Sequence, residues 1–157
     1  ELGGHEAYAT RLFPGEHMAD YFVRFEGVGT EGLEMFGMDE AGILTLPKTA
    51  VPLEDGCLTR TPEQLGIDTV VLENVPGSAV ALASAANPYE VRVEFPDFPY
   101  LGIWTKAGQG DARYLCIEPW SALPDAHFSP RELPEKPGVR TLAPGERAIL
   151  SYRMTFR

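Results

Sequence analysis

The chain has 157 residues and a formal net charge of −10, from 23 acidic residues against 13 lysines and arginines. Its 44% hydrophobic and 23% charged residues are the balance of one ordinary globular domain, which we place at residues 1–157. An acidic surface repels phosphate backbones and anionic lipid, and no apolar run approaches the roughly 18 residues of a membrane-spanning helix. These properties argue against nucleic acid and membrane as partners.

The cysteine content indicates the redox compartment. Cys57 and Cys116 are the only two cysteines. A single pair so far apart is not the dense disulfide framework of a small secreted domain. We therefore predict a reducing, cytoplasmic location.

Alternation of apolar and polar residues is the dominant pattern, and it predicts half-buried β-strands. In chain order, the alternating or short apolar runs cover residues 21–25, 42–46, 69–72, 79–83, 89–95, 100–104, 113–117 and 148–156. The last run is the longest, with Ala148, Leu150, Tyr152, Met154 and Phe156 on one face. The pattern predicts a fold built mainly from short strands.

Turn residues separate these runs, since the chain holds 16 glycines and 14 prolines. Only Thr61 resembles a helix start, and Gly66 ends that helix within one turn. Residues 120–138 are rich in proline and lack periodicity, which predicts a long ordered loop. Strands joined in this way predict an all-β fold, an antiparallel β-sandwich.

A glutamate stands near the end of one apolar strand. Alternation places Tyr114, Cys116 and Glu118 on one face of this strand, and Leu115 and Ile117 on the other. A carboxylate in such surroundings is costly unless it is paired, and it suits a general acid or base. We expect the following proline to end the strand pairing and present the carboxylate at the strand's mouth. The alternative is a structural carboxylate bonded to backbone N–H groups or an arginine.

Two segments around this glutamate resemble a known family. The sequence Cys-Ile-Glu-Pro-Trp at 116–120 follows Phe-Pro-Tyr-Leu-Gly-Ile-Trp-Thr at 98–105, and together they resemble the C-terminal signature of aldose 1-epimerases, the galactose mutarotase-like proteins. The Leu-Ala-Pro-Gly-Glu turn at 142–146 is also similar to the family's ending. The resemblance implies a large β-sandwich, called a supersandwich, with Glu118 as the catalytic base.

The resemblance also assigns a general acid. The segment Gly-Gly-His-Glu-Ala-Tyr at 3–8 resembles the family segment that carries the general-acid histidine, and the resemblance implies that His5 is the general acid. Without the resemblance, a histidine this near a chain end is ordinarily a surface residue. The chain has Gly4 before the histidine where the commoner family form has asparagine.

The family chemistry is mutarotation, the exchange of the α and β anomers of a free aldose. A base removes the proton of the anomeric hydroxyl while an acid protonates the ring oxygen, and the opened sugar closes again on its other face. This reaction requires no metal and no cofactor. Two alternatives remain: a non-catalytic carbohydrate-binding module on the same scaffold, and a hexose-6-phosphate 1-epimerase, which needs an arginine cluster that the sequence does not suggest.

Three further residues are candidates for sugar binding. Asp68 lies about where the family places an acidic residue that binds sugar hydroxyls. Trp104 and Trp120 have rings that can stack on a sugar, although a sandwich core uses tryptophan equally well. We predict Asp68, Trp104 and Trp120 as substrate-binding residues, and no metal ligands.

The resemblance implies that this chain is part of a longer protein or assembly. Family members are roughly twice this length, and the sequence has no initiator methionine. We therefore expect the C-terminal portion of a longer protein, or half of a two-chain assembly. An incomplete sandwich exposes strand edges and apolar surface. This predicts association with the missing half or with a second copy.

Overall fold

A computed structural model describes residues 10–11, 14–29, 32–106 and 114–157. Eleven strands in this part of the chain form two antiparallel sheets. Their bounds are β1 Thr10–Arg11, β2 Tyr21–Phe25, β3 Glu34–Met38, β4 Leu44–Ala50, β5 Cys57–Leu58, β6 Thr69–Glu73, β7 Ala79–Ser84, β8 Glu90–Glu94, β9 Tyr100–Trp104, β10 Tyr114–Trp120 and β11 Arg153–Phe156. The six-stranded sheet has the order β1-β10-β9-β6-β3-β4, and the five-stranded sheet has the order β11-β8-β7-β2-β5.

The main hydrophobic core lies between the two sheets. Alternate residues of the central strands enter it, as the period of two requires. In β2, for example, Tyr21, Val23 and Phe25 are buried while the residues between them are half-buried. From the six-stranded sheet come Val70, Leu72, Leu101, Ile103, Leu115 and Ile117. The prediction of an all-β antiparallel sandwich is confirmed.

A second apolar layer covers part of the outer face of the six-stranded sheet. It consists of Phe36, Leu44, Val71, Tyr100, Leu123 and Ala126. Leu123 and Ala126 belong to the segment 121–139, which follows β10 without strands of its own and is here called the β10 loop. Because apolar groups lie on both of its faces, the central strand β6 is buried at four of its five positions.

The β10 loop is ordered by contacts with β4, as predicted for this proline-rich segment. Leu44 is fully buried, donates its N–H to Asp125 O and accepts the N–H of His127, at 3.0 and 2.9 Å. The His127 ring lies 2.7 Å from an oxygen of Asp39, and Phe128 stacks on Phe36. These contacts hold the loop beside the outer face.

The predicted helix start is a single 3₁₀ turn, Glu63–Leu65. The Thr61 N–H donates to the Gln64 side chain, and Thr61 Oγ1 accepts the Gln64 N–H, which is a reciprocal cap. Gly66 ends the turn at φ 72°. The turn ends there because glycine adopts this left-handed conformation without steric cost.

The predicted strand at 148–156 is wrong in its first half, since β11 begins only at Arg153. Its partner β8 ends at Glu94, which pairs with Arg153. Phe95 donates its N–H to Ser78 O on the β7 side, and the next residue that would face β11 is a proline, which has no N–H to donate. Alternation alone does not form a strand when the neighbouring strand has ended.

The expectation that Pro119 ends strand pairing is also wrong. Pairing between β9 and β10 continues through Pro119 opposite Leu101 to Trp120 opposite Tyr100. On its other edge β10 pairs with β1 only at Tyr114 and Leu115, so beyond those residues that edge has no strand partner in the described part of the chain. Proline is tolerated at such an edge. Glu118 therefore lies within a paired strand and not at its mouth.

The strand β3 was not predicted. A register irregularity between Met35 and Gly37 interrupts its alternation, so its sequence lacks the period-two signal. In the described residues, no helix has the length and apolar character needed to cross a membrane.

Candidate functional site

The candidate residues that the structure describes lie on the outer face of the six-stranded sheet. Leu101, Ile103, Leu115 and Ile117 point into the main core, so the residues that alternate with them point outwards. Strand register aligns these outward residues in three adjacent rows across β10, β9 and β6. The rows are Cys116–Trp104–Thr69, Glu118–Gly102–Val71 and Trp120–Tyr100–Glu73.

Glu118 is half-buried in the middle row. Its Oε2 accepts a hydrogen bond of 3.2 Å from the indole Nε1 of Trp120, two residues further along the same face. On its other side lies the buried thiol of Cys116, two residues earlier. Burial first, and then the charge of Glu118 and a hydrogen bond to it, raise the pKa of the Cys116 thiol to about 11. The thiol is therefore a neutral neighbour of the carboxylate at physiological pH, as expected for an inert buried cysteine.

Gly102 lies directly opposite Glu118 and makes room for the Trp120 ring. A Cβ atom added at Gly102 would lie 2.5 Å from Cζ2 and 2.9 Å from Cε2 of Trp120. The indole therefore rests on the Gly102 backbone, beside Glu118. A glycine inside a strand is the sequence signal for such a close approach, and the sequence reasoning did not use it.

Asp68 and Trp104 also meet on this face. Trp104 Nε1 donates to Asp68 Oδ1 at 3.3 Å, and Thr69 Oγ1 donates to Asp68 Oδ2 at 3.0 Å. The Trp104 ring packs against Tyr114 with ring centroids 5.9 Å apart. Asp68 is exposed, whereas Trp104 is half-buried. Together the carboxylate and the indole form a polar and aromatic border of this surface that is accessible to solvent.

The two groups of residues are neighbours on one surface. Trp104 is opposite Cys116, and Glu118 stands two residues further along β10, a step of about 7 Å. The structure thus brings Glu118, Trp120, Trp104 and Asp68 to one face. His5 lies outside the described residues. No group of three or more His, Cys, Asp or Glu side chains able to hold a metal ion occurs in the described segments.

Comparison with known proteins identifies two relatives in Lactococcus lactis. The chain is 28% identical over 156 residues to two proteins from Lactococcus lactis subsp. lactis, protein LacX of chromosomal origin and protein LacX of plasmid origin. Each match covers 99% of this chain and 51% of the relative, so the chain spans about half the length of these curated relatives. No protein-family model matches the chain.

Two solved structures share the fold. A galactose mutarotase-like protein from Lactobacillus casei superposes with a TM-score of 0.76 at 26% identity, over 88% of this chain and 47% of that one. A galactose mutarotase related enzyme from Lactobacillus acidophilus superposes with a TM-score of 0.78 at 24% identity, over 95% of this chain and 49% of that one. The resemblance to galactose mutarotase-like proteins and to their sandwich fold is confirmed.

Proposed function

We propose that the protein is an aldose 1-epimerase, which interconverts the α and β anomers of a free aldose by acid–base ring opening. The observation that carries the proposal is the placement of Glu118, a half-buried carboxylate on the same face as the exposed Asp68 and the half-buried Trp104 from which Asp68 accepts a hydrogen bond. The likeness to galactose mutarotase-like structures supports a sugar as the ligand.

In this proposal Glu118 is the base that removes the proton of the anomeric hydroxyl. A carboxylate between an indole N–H and a neutral thiol is held in a defined orientation, which general-base catalysis requires. His5 is proposed as the acid for the ring oxygen, on the strength of the sequence resemblance. A well-placed acid or base contributes roughly 10²–10⁴-fold in rate.

The neighbouring residues are proposed to bind the sugar. Asp68 offers carboxylate oxygens to sugar hydroxyls, and the Trp104 ring offers an apolar surface beside it. Trp120 forms the opposite border of the surface around Glu118. Since Trp104 and Glu118 are diagonal neighbours on the adjacent strands β9 and β10, about 7–8 Å apart, one monosaccharide can contact both.

The test is the rate of anomer exchange by the intact protein, measured by polarimetry or exchange NMR with fresh α-glucose or α-galactose. Glu118→Gln and His5→Asn are each expected to lower the catalysed rate by at least about 100-fold. Glu132→Gln and His17→Asn, at exposed positions, serve as matched controls and should retain it. Unchanged catalysis in Glu118→Gln contradicts the proposal, and saturable sugar binding without any acceleration favours a carbohydrate-binding module instead.

We further propose a partner for the apolar residues near the end of the chain. Ile149 is 82% exposed and Phe156 is 73% exposed. They lie in or beside β11, an edge strand of the five-stranded sheet. Exposed apolar side chains on an open strand edge favour pairing with another β-rich segment. We propose that a further β-rich part of a protein of the relatives' length, or a second copy of this chain, covers this edge.

The proposed location is the reducing cytoplasm. Both cysteines are free thiols, Cys116 buried and Cys57 half-buried, as is usual where thiols are kept reduced. Fractionation of cells that express a tagged form of the protein tests this location.

A further inference from the structure

We propose that Trp120 is a positioning residue for Glu118, and that Gly102 makes this role possible by leaving room for the indole ring. The inference rests on the proposed function of Glu118 as a base. It assigns to the indole N–H a role distinct from contact with the sugar.

The hydrogen bond between Trp120 and Glu118 can run in only one direction. Trp120 Nε1 carries one proton and no lone pair for acceptance, so it can only donate, and here it donates to Oε2 of Glu118 at 3.2 Å. A donor to an ionised carboxylate fixes the plane of the carboxylate and favours its charged form. A base needs both properties before substrate arrives.

The Trp120 ring that carries this N–H is held by packing on two sides. The ring lies against the Gly102 backbone, where any Cβ would approach Cζ2 to 2.5 Å. The ring also packs against the second apolar layer, which contains the buried Tyr100, the residue opposite Trp120 in its own row. Contacts from below and from the side restrict the indole to one orientation. The N–H is therefore held in place by the sheet.

Trp104 makes the same kind of hydrogen bond in more exposed surroundings. Its indole N–H also donates to a carboxylate, that of Asp68, at 3.3 Å, but Asp68 is exposed and Glu118 is half-buried. Water competes for the exposed pair and screens it, whereas partial burial strengthens the other. The two tryptophans thus have the same donor in different surroundings, and each is a reference for the other.

The structural test uses the indole signals in ¹H–¹⁵N correlation spectra, in which each tryptophan gives one cross-peak. The chain has two tryptophans, and Trp120→Phe and Trp104→Phe assign their cross-peaks by removal. We expect Glu118→Gln to move the Trp120 signal and leave that of Trp104 in place, while Asp68→Asn does the reverse. A Trp120 signal that is unaffected by Glu118→Gln overturns the hydrogen bond, whether or not the protein is an epimerase.

The functional test is the kinetics of Trp120→Phe in the intact protein. We expect kcat to fall by at least about tenfold with KM changed less than about threefold, because a donor to a charged group is lost while the aromatic surface is kept.

Gly102→Ala provides an independent variant, which displaces the ring without removing the N–H. It should lower kcat as Trp120→Phe does. Gly37→Ala, where an added Cβ meets the Thr45 side chain far from Glu118, is a control for general destabilisation and should retain kcat. If Glu118→Gln abolishes exchange but Trp120→Phe has the parental kcat, the positioning role is wrong and the proposed function stands. If Glu118→Gln has no effect, the proposed function fails first.

Discussion

Trp104 donates its indole N–H to Asp68 over 3.3 Å, which joins β9 to the residue that precedes β6. The contact holds an exposed carboxylate against an aromatic ring, next to the row of Glu118. Thr69 contacts the other oxygen of the same carboxylate. This arrangement orients one acidic side chain towards solvent at the edge of the site.

Asp68→Ala is expected to weaken sugar binding more than catalysis. KM should rise about tenfold while kcat changes less than about threefold, since a contact made equally in the ground state and the transition state is lost. Steady-state kinetics and calorimetric binding measure the two effects separately. Glu132→Gln, an exposed acidic residue in the β10 loop, is the matched control. A large fall in kcat with KM unchanged would show that Asp68 takes part in the chemical step.

Cys116 is expected to resist thiol reagents in the folded protein. Burial, and then Glu118, raise the pKa of this thiol to about 11, so at pH 8 roughly one thiol in a thousand is ionised. In Cys57→Ser, which leaves Cys116 as the only thiol, alkylation by iodoacetamide should be negligible until denaturant is added. The labelled fraction is measured by mass spectrometry. Rapid labelling without denaturant would contradict the burial of Cys116.

Leu44→Ala is expected to destabilise the protein by about 2–5 kcal/mol, because a fully buried side chain is replaced by a cavity. The variant should also loosen the β10 loop, whose His127 N–H donates to Leu44 O. Urea denaturation measures the first effect, and hydrogen exchange at His127 measures the second. Leu46→Ala, at a residue 55% exposed in the same strand, is the control and should change stability by less than about 1 kcal/mol.

Arg92→Gln is expected to lower stability at neutral pH and to have less effect in acid. Arg92 contacts both oxygens of Glu26, at 2.6 and 2.7 Å, and Glu94 at 2.7 Å, and its hydrogen bonds lower the pKa of each glutamate. A carboxyl group whose pKa is lower in the folded state stabilises the protein above its unfolded pKa of about 4.3, and this stabilisation is lost as pH falls through the folded value.

Urea midpoints of the parental protein and Arg92→Gln should therefore converge as the pH falls below about 4. Arg140→Gln, at an exposed position, should follow the parental protein throughout. A difference that is constant with pH would show that Arg92 acts by packing and not through these carboxylates.

Ile149 and Phe156 are expected to mediate association. If a β-rich partner or a second copy covers the β11 edge, the isolated chain should self-associate or bind a hydrophobic dye. The double variant Ile149→Ser, Phe156→Ser should reduce both. Light scattering after gel filtration measures the mass, and Leu46→Ser, another exposed apolar position, is the control. A parental chain that is monodisperse, monomeric and free of dye binding would contradict the proposal.

The sequence alone determined which residues share a face, because side chains alternate along any extended strand. It thereby placed Cys116 and Glu118 on the face opposite Leu115 and Ile117, as the structure shows. It also predicted the all-β class from the spacing of alternating runs and turn residues. Side-chain alternation and the spacing of turn residues are local properties of the sequence, and they do not depend on which strands pair.

Only the tertiary structure decided which strands are neighbours and in what register. The opposition of Glu118 and Gly102, the contact between Asp68 and Trp104 across 36 positions, and the attachment of the β10 loop to Leu44 all depend on pairings between distant segments. Residues 148–152 alternate in sequence yet form no strand, because the neighbouring strand β8 ends at Glu94, opposite Arg153. Alternation fixes the side of a strand on which a residue lies, and only the neighbouring strand fixes what that residue meets.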